Sequence, residues 1–229
     1  MVKKTFTSKG EKFSLFFKDS PDWITQISVI HRQMNELEVT QYLLCNLKLG
    51  MTFLDVGAAV GWFTLIGAHE VGAKGQVWAY EPEPSRFELL KENVKLNDYE
   101  NVRCFPLALS DKDGEAYIGG PGMMRLTEKR TDTPIKTVRL DSHLRGLELR
   151  RVDIVKIDVE GAELRVLHGM RETVEKNPGI KIVCEIHSKQ MLRYGDNRER
   201  LFEFISGLGL HALRIGGDPP HWVFSYEGD

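Results

Sequence analysis

This chain has no long apolar run: nowhere does it reach the roughly 18 consecutive apolar residues of a membrane-spanning helix. The apolar block near the amino terminus is only the short stretch around Phe13, Phe16 and Phe17. Membrane insertion and export are therefore not expected. Cysteine is scarce as well. Cys45, Cys104 and Cys184 stand far apart with no paired spacing, which argues against a disulfide framework or a zinc knot and suits buried thiols in a reducing cytoplasm. An excess of one charge is also missing. With 31 basic residues against 33 acidic ones, the formal charge is -2. The pull on a phosphate backbone that nucleic-acid binders depend on is then weak, and nucleic acid is disfavoured as a partner. The chain carries no internal repeat and no low-complexity tract.

What is present suffices for one full core, since 41% of the 229 residues are hydrophobic. Residues 1–34 mix charges with Phe13, Phe16, Phe17 and Trp23 without a clean period, and read as an appendage or a substrate lid. Residues 35–229 read as the main domain. Asn35 and Glu38 are spaced as a helix cap and its third-position acid, opening a helix that ends near Gly50. Short apolar runs flanked by glycine or acids predict strands over 52–56, 76–80, 102–107, 152–157 and 180–186. Apolar faces at helical spacing predict helices over 84–97, 162–174 and 198–208. Strands alternating with helices in this way predict an α/β fold, a Rossmann-like, doubly wound and mostly parallel sheet. Segments 211–215 and 221–226, joined by a glycine- and proline-rich turn, predict a C-terminal antiparallel hairpin. The block 123–151 carries eight basic residues against four acids, most simply a solvated face.

The first predicted strand runs into Asp55, Val56, Gly57, Ala58, Ala59, Val60 and Gly61. Small residues there let a ligand approach the backbone, although close strand-to-helix packing asks for the same residues. The second strand ends in Glu81 and Pro82, and an acid at that tip can accept both hydroxyls of an adenosine ribose. A dinucleotide and S-adenosylmethionine share that contact, so the first turn must discriminate. A pyrophosphate asks for Gly-x-Gly-x-x-Gly with no carboxylate nearby. Here Asp55 precedes the turn and Ala59 replaces the middle glycine, which favours a sulfonium cofactor whose ammonium Asp55 can pair with.

Five blocks carry a family resemblance: 53–61 (FLDVGAAVG), 80–82 (YEP), 108–111 (ALSD), 156–163 (KIDVEGAE) and 185–187 (EIH). Together, over about residues 35–190, they resemble the FkbM family of class I S-adenosylmethionine-dependent methyltransferases. The KIDVEGAE block is the most specific of them. The resemblance implies the class I methyltransferase fold, S-adenosylmethionine as cofactor, Ala108, Leu109 and Ser110 bordering the adenine, and a small hydroxylated acceptor such as a sugar. One position departs: the family often has Asn where this chain has Ala59.

At the other side of the sheet, the strand over 152–157 delivers Asp158 to its tip, with Glu160 and Glu163 just beyond. Asp158 is expected beside the methionyl arm of the cofactor, as an N-cap of the next helix, or as both. Glu160 is expected to face the substrate. Glu163 is either a pocket acid or a surface acid favoured by the helix dipole. Alternation puts Glu185 and His187 on one side of the last predicted parallel strand. If that side meets the pocket, His187 is the expected general base, since an imidazole with an ordinary pKa near 6.5 takes a proton at neutral pH. Asp158 and Glu185 also occupy strand tips where, by resemblance to catechol-type enzymes, a magnesium ion is held in some O-methyltransferases. Asp218, Pro219, Pro220 and His221 look like the Asp-Pro-Pro-Tyr motif of amino-group methyltransferases, but sit in the terminal hairpin and read as a turn. An RNA or protein methyltransferase, resting on the basic block, and an NAD-dependent dehydrogenase are the alternative readings. The acceptor and the oligomeric state are left open by the sequence.

Overall fold

The computed structural model describes residues 2–8, 10–17, 36–119, 125–127, 133–147, 149 and 151–226. The chain opens with an antiparallel hairpin, β1 (Val2–Ser8) and β2 (Glu11–Phe17). Strands and helices then alternate through α1 (Leu37–Asn46), β3 (Thr52–Val56), α2 (Trp62–Val71), β4 (Gln76–Tyr80), α3 (Pro84–Leu96) and β5 (Val102–Phe105). Four short strands follow: β6 (Leu107–Leu109), β7 (Gly114–Gly119), β8 (Arg125–Thr127) and β9 (Thr133–Val138). The alternation resumes with α4 (Leu140–Arg145), β10 (Ile154–Ile157), α5 (Glu163–Gly169), α6 (Arg171–Lys176), β11 (Lys181–Glu185), α7 (Ser188–Met191) and α8 (Arg198–Gly207). It closes with β12 (His211–Gly216) and β13 (His221–Ser225).

Seven strands form one sheet in the order β12-β13-β11-β10-β3-β4-β5. The strands from β11 to β5 run parallel, and β13 lies antiparallel between β11 and β12. This is the predicted doubly wound sheet with its terminal hairpin. The winding reverses between β3 and β10, so the crevice outside their carboxyl ends is the switch point where ligands bind in this architecture. Period-two alternation sorts the strand residues onto two cores. Leu54 and Val56 pack with Leu164, Leu167 and Ile205 on one face, while Phe53 packs with Leu43, Phe63 and Leu90 on the other.

The strand predicted over 102–107 divides at Pro106, which has no N–H to donate to a ladder. Leu107–Leu109 therefore leaves the main sheet and pairs with β9 in a second sheet of order β6-β9-β7-β8. The sequence pattern does not announce this sheet, because β7 buries only Ile118 and β9 only Ile135 and Thr137, too few residues to carry a period. The helix predicted over 162–174 forms as α5 and α6. Gly169 is pressed onto the Ser110 carbonyl, where a Cβ would lie 1.9 Å from the oxygen, and Met170 departs from helical geometry with φ -118.

Helix α1 begins with Glu36 in the cap position, and Asn35 lies outside the described residues. So do Trp23 and, within the basic block, residues 123–124, 128–132, 148 and 150. The end of β2 is anchored on the helices: Phe17 stacks on Trp62 with centroids 5.6 Å apart. Asn97 accepts from the Phe16 N–H at 2.9 Å and donates to its carbonyl at 2.7 Å. Among the described residues no helix is long and apolar enough to cross a membrane, and the three cysteines are free.

Candidate active site

The first half of the site is a backbone turn. After β3 the N–H groups of Gly57 and Ala58 both donate to the Tyr80 carbonyl at 3.0 Å, which turns the chain sharply over the tip of β4. Gly57 has φ +81, and a Cβ there would lie 1.8 Å from the Asp158 carbonyl oxygen, so only glycine lets the β3 and β10 tips approach. Ala59 also adopts a left-handed conformation, φ +50, a geometry that Asn tolerates better than Ala. Its N–H donates to Glu81 Oε2 at 2.8 Å, and Glu81 Oε1 accepts from the Glu83 N–H at 2.9 Å. Glu81 is buried, and burial raises its pKa, opposed by these two N–H groups and by Arg86. A carboxylate with two oxygens has lone pairs left to accept further donors from a ligand.

Beside this turn lies an open cleft. Gly57, Ala59, Glu81, Pro82, Ala108, Leu109, Asp158 and Glu160, all expected site residues, line it. Asp55, Ala58, Gly61 and Ser110 are not among the lining residues. Asp55 points to the α2 face of the sheet, where its Oδ2 accepts the Thr64 hydroxyl at 2.6 Å. Ala58 is packed in the core, and Gly61 occupies the N-cap of α2 with φ +94. The Ser110 N–H is bonded to the Val138 carbonyl, which ties it to the second sheet. That sheet also supplies Ile118 to the lining, which further includes Arg86, Tyr80 and Val159, none of them expected as a site residue. The only advance signal for Arg86 was its place in the first turn of a helix opened by Pro84. Ile118 gave no signal.

The second half of the site is a cluster of side chains. Residues 159–161 turn tightly after β10: Glu160 is held at φ +53 and Gly161 at φ +106, and a Cβ on Gly161 would lie 2.6 Å from the Gln190 backbone. A non-glycine residue in this region stores strain, which tends to mark functional positions. Asp158 Oδ2 accepts from the buried Lys156 Nζ at 3.0 Å, and that ammonium lies 4.7 Å from the Phe63 ring centroid. Glu163 is fully buried, so the surface alternative falls away. Its Oε1 accepts from the Gly161 N–H at 2.8 Å and meets His187 Nδ1 at 2.9 Å.

His187 Nε2 faces Glu185 Oε1 at 3.4 Å and Glu160 Oε2 at 3.6 Å. Glu185 Oε2 in turn faces His221 Nε2 at 3.4 Å, because β13 runs antiparallel to β11 with His221 opposite Glu185. Residues 218–220 are thus a turn, as expected, but His221 begins β13 and enters the cluster, which the sequence does not announce. Burial alone would lower the pKa of His187, but its contacts with Glu163 and Glu185 and the charge of Asp158 outweigh that and push it up to about 11. Burial also raises the pKa of Glu160; the His187 charge opposes this, and the neighbouring acids add to it. Neither His187 nor Glu185 lines the cleft; both stand behind Asp158 and Glu160. The base expected from an ordinary imidazole pKa is therefore a protonated ring at neutral pH, set back from the cavity.

Residues 55–206 match the methyltransferase FkbM domain, more than half of the chain. The chain belongs to the FkbM family of S-adenosylmethionine-dependent methyltransferases. It is 29% identical over 172 residues to the hexuronic acid methyltransferase AglP of Haloferax volcanii, covering 72% of this chain and 68% of that one. It is 30% identical over 125 residues to the 2-O-methyltransferase NoeI of Sinorhizobium fredii, covering 45% of this chain and 51% of the relative. Among solved structures it shares its fold with a methyltransferase FkbM from Methylobacillus flagellatus. There the TM-score is 0.56 at 16% identity, over 76% of this chain and 43% of that one. It shares the fold equally with Aeropyrum pernix fibrillarin, solved with bound S-adenosyl-L-methionine, with a TM-score of 0.55 at 16% identity over 97% and 81%. Membership of the FkbM family removes the dehydrogenase alternative.

Proposed function

We propose that this FkbM enzyme transfers the methyl group of S-adenosylmethionine to an oxygen of a sugar or a related small hydroxylated metabolite. The observation that carries this reading is the cleft itself, which runs from the buried Glu81 carboxylate at one strand tip to Asp158 and Glu160 at another. In this reading Glu81 accepts the ribose hydroxyls, while Gly57, Ala59 and Pro82 flank the nucleoside and Ala108 and Leu109 border the adenine. Asp158 lies along the methionyl arm. The acceptor hydroxyl is held by Glu160, which faces the cleft and is not taken up by Lys156. Its oxygen forms a bond to the methyl carbon as the carbon–sulfur bond breaks, the sulfur leaves as a neutral thioether, and the hydroxyl proton passes to Glu160. Most of the catalysis is alignment of the oxygen with that carbon–sulfur axis. His187 serves as a positioning residue, held between Glu163 and Glu185 and orienting the acids in front of it.

The sugar class draws support from what AglP and NoeI are named for. A cytoplasmic setting goes with it, since Cys45 is an exposed free thiol. The test is transfer from a methyl-labelled donor to a panel of neutral sugars, hexuronic acids and RNA. Labelled sugar or uronate with unlabelled RNA is the expected result. Labelling of RNA alone, with a steep loss of binding at higher salt, would overturn the sugar reading.

A further inference from the structure

We propose that Asp158, Glu185 and His187 bind one divalent cation at the rear of the cleft, and that this cation takes two neighbouring oxygens of the methyl acceptor. The inference rests on the O-methyl transfer reading and narrows its acceptor to a molecule with adjacent oxygens, such as a vicinal diol or a hydroxy acid.

The three residues arrive from two different strand ends, all buried, and one ligand atom of each lies within 4.8 Å of the others. The ring of His187 is already oriented for such a role. Its Nδ1 is fixed by Glu163 at 2.9 Å, which aims Nε2 at the acids. A carboxylate holding the far nitrogen of a metal-ligating histidine is the usual outer partner in metal sites. The separation between Glu185 and His187 also fits. A charge-assisted hydrogen bond would close to about 2.7–2.9 Å. Nε2 instead stands 3.4 Å from Glu185 Oε1. Ligand atoms about 2.1 Å from a common ion stand roughly 3.0–3.4 Å apart in octahedral or tetrahedral arrangements.

A second observation is independent of these distances. His221 is 1% exposed, neither of its ring nitrogens makes a hydrogen bond, and its Nε2 points at the other oxygen of Glu185 from 3.4 Å. The region around Glu185 thus holds more buried donor atoms than the protein itself pairs closely. Carboxylates outnumber the cations as well: Asp158, Glu160, Glu163 and Glu185 share the space with Lys156, whose ammonium serves Asp158, and with the His187 ring, whose Nε2 proton a bound ion would displace. Burying that many like charges is costly unless a cation offsets them. Mixed oxygen and imidazole ligands suit a manganese-, zinc- or magnesium-sized divalent ion. Because Asp158 and Glu160 line the cleft, the open coordination positions would face the acceptor.

The experiment uses the full chain stripped with EDTA and titrated with MnCl₂, with free Mn²⁺ followed by electron paramagnetic resonance. Binding of S-adenosylhomocysteine is measured in parallel by calorimetry. We expect one Mn²⁺ per chain. Glu185→Gln and His187→Ala should each weaken it at least tenfold, and Glu163→Gln, which frees the ring, by about 10- to 100-fold. In all three, binding of S-adenosylhomocysteine should be retained. If His187→Ala does not fold, Glu185→Gln carries the test alone. Wild-type protein that binds S-adenosylhomocysteine but takes up no Mn²⁺, Zn²⁺ or Mg²⁺ would overturn the inference. So would loss of the ion in His221→Ala with retention in His187→Ala, which would put it in the neighbouring cluster of Glu36, Glu185 and His221. Metal uptake without binding of S-adenosylhomocysteine would leave the cation standing and sink the methyl-donor reading instead.

Discussion

The two ends of the cleft are built in different ways. At the β3 and β4 tips the shape is made by backbone: a left-handed Gly57, a left-handed Ala59 and the N–H groups that Glu81 gathers. At the β10, β11 and β13 tips it is made by side chains, Asp158, Glu160, Glu163, Glu185, His187 and His221, brought together from three strand ends and the turns beside them. A backbone site tolerates no added atoms but has few residues to lose. A side-chain site tolerates changes of shape but depends on every charge having a counterpart. Substitutions should therefore separate the two ends by what they damage.

The largest effect is expected at the side-chain end. Glu160→Gln keeps the shape and removes the proton acceptor, so kcat should fall by about 10² to 10⁴ while cofactor affinity stays within about twofold. Steady-state rates with calorimetry of S-adenosylhomocysteine check this; unchanged kcat would exclude Glu160. At the backbone end, Gly57→Ala should cost at least about 3 kcal/mol of stability, because its Cβ meets the Asp158 carbonyl and its φ is left-handed. Gly179→Ala, where the added methyl meets open space, should leave the urea midpoint almost unmoved, which makes it the control.

Glu81→Ala should weaken S-adenosylmethionine by about 1.5 to 3 kcal/mol, about 10- to 150-fold. Retained affinity in a folded variant would remove Glu81 from the site. Thr64→Val takes the hydroxyl from Asp55 and should destabilise the protein by about 1 to 3 kcal/mol with little effect on cofactor affinity. A large loss of affinity would return Asp55 to the cofactor contacts that the sequence suggested. Smallest of all, Ala59→Gly relieves a left-handed alanine and should stabilise by about 0.5 to 1 kcal/mol, read as a slightly higher Tm.

Much of the backbone end was legible in advance, because its chemistry is local. A strand tip with two glycines, and an acid after the next strand, state their own geometry within a few residues. Even so, Asp55 faces α2 rather than the cleft, since alternation along β3 sends it to the side of Phe53 and toward Thr64. The cluster was legible as a set of residue types but not as a set of roles. The expectation for His187 used the pKa of an imidazole in water, and four nearby carboxylates alter that value. His221 could not be assigned at all, because its place beside Glu185 follows from antiparallel pairing across 36 residues of chain.

By itself the sequence determined the strand and helix rhythm, the doubly wound sheet, the family and the glycine turn, since each depends on periods and conformations set within about ten residues. Tertiary structure alone decided that Pro106 diverts the chain into a second sheet lining the cleft. It also decided that Glu163 is buried and that Glu185 stands between two histidines. Those outcomes depend on which strand lies next to which, and therefore on electrostatics and packing among residues the sequence keeps far apart.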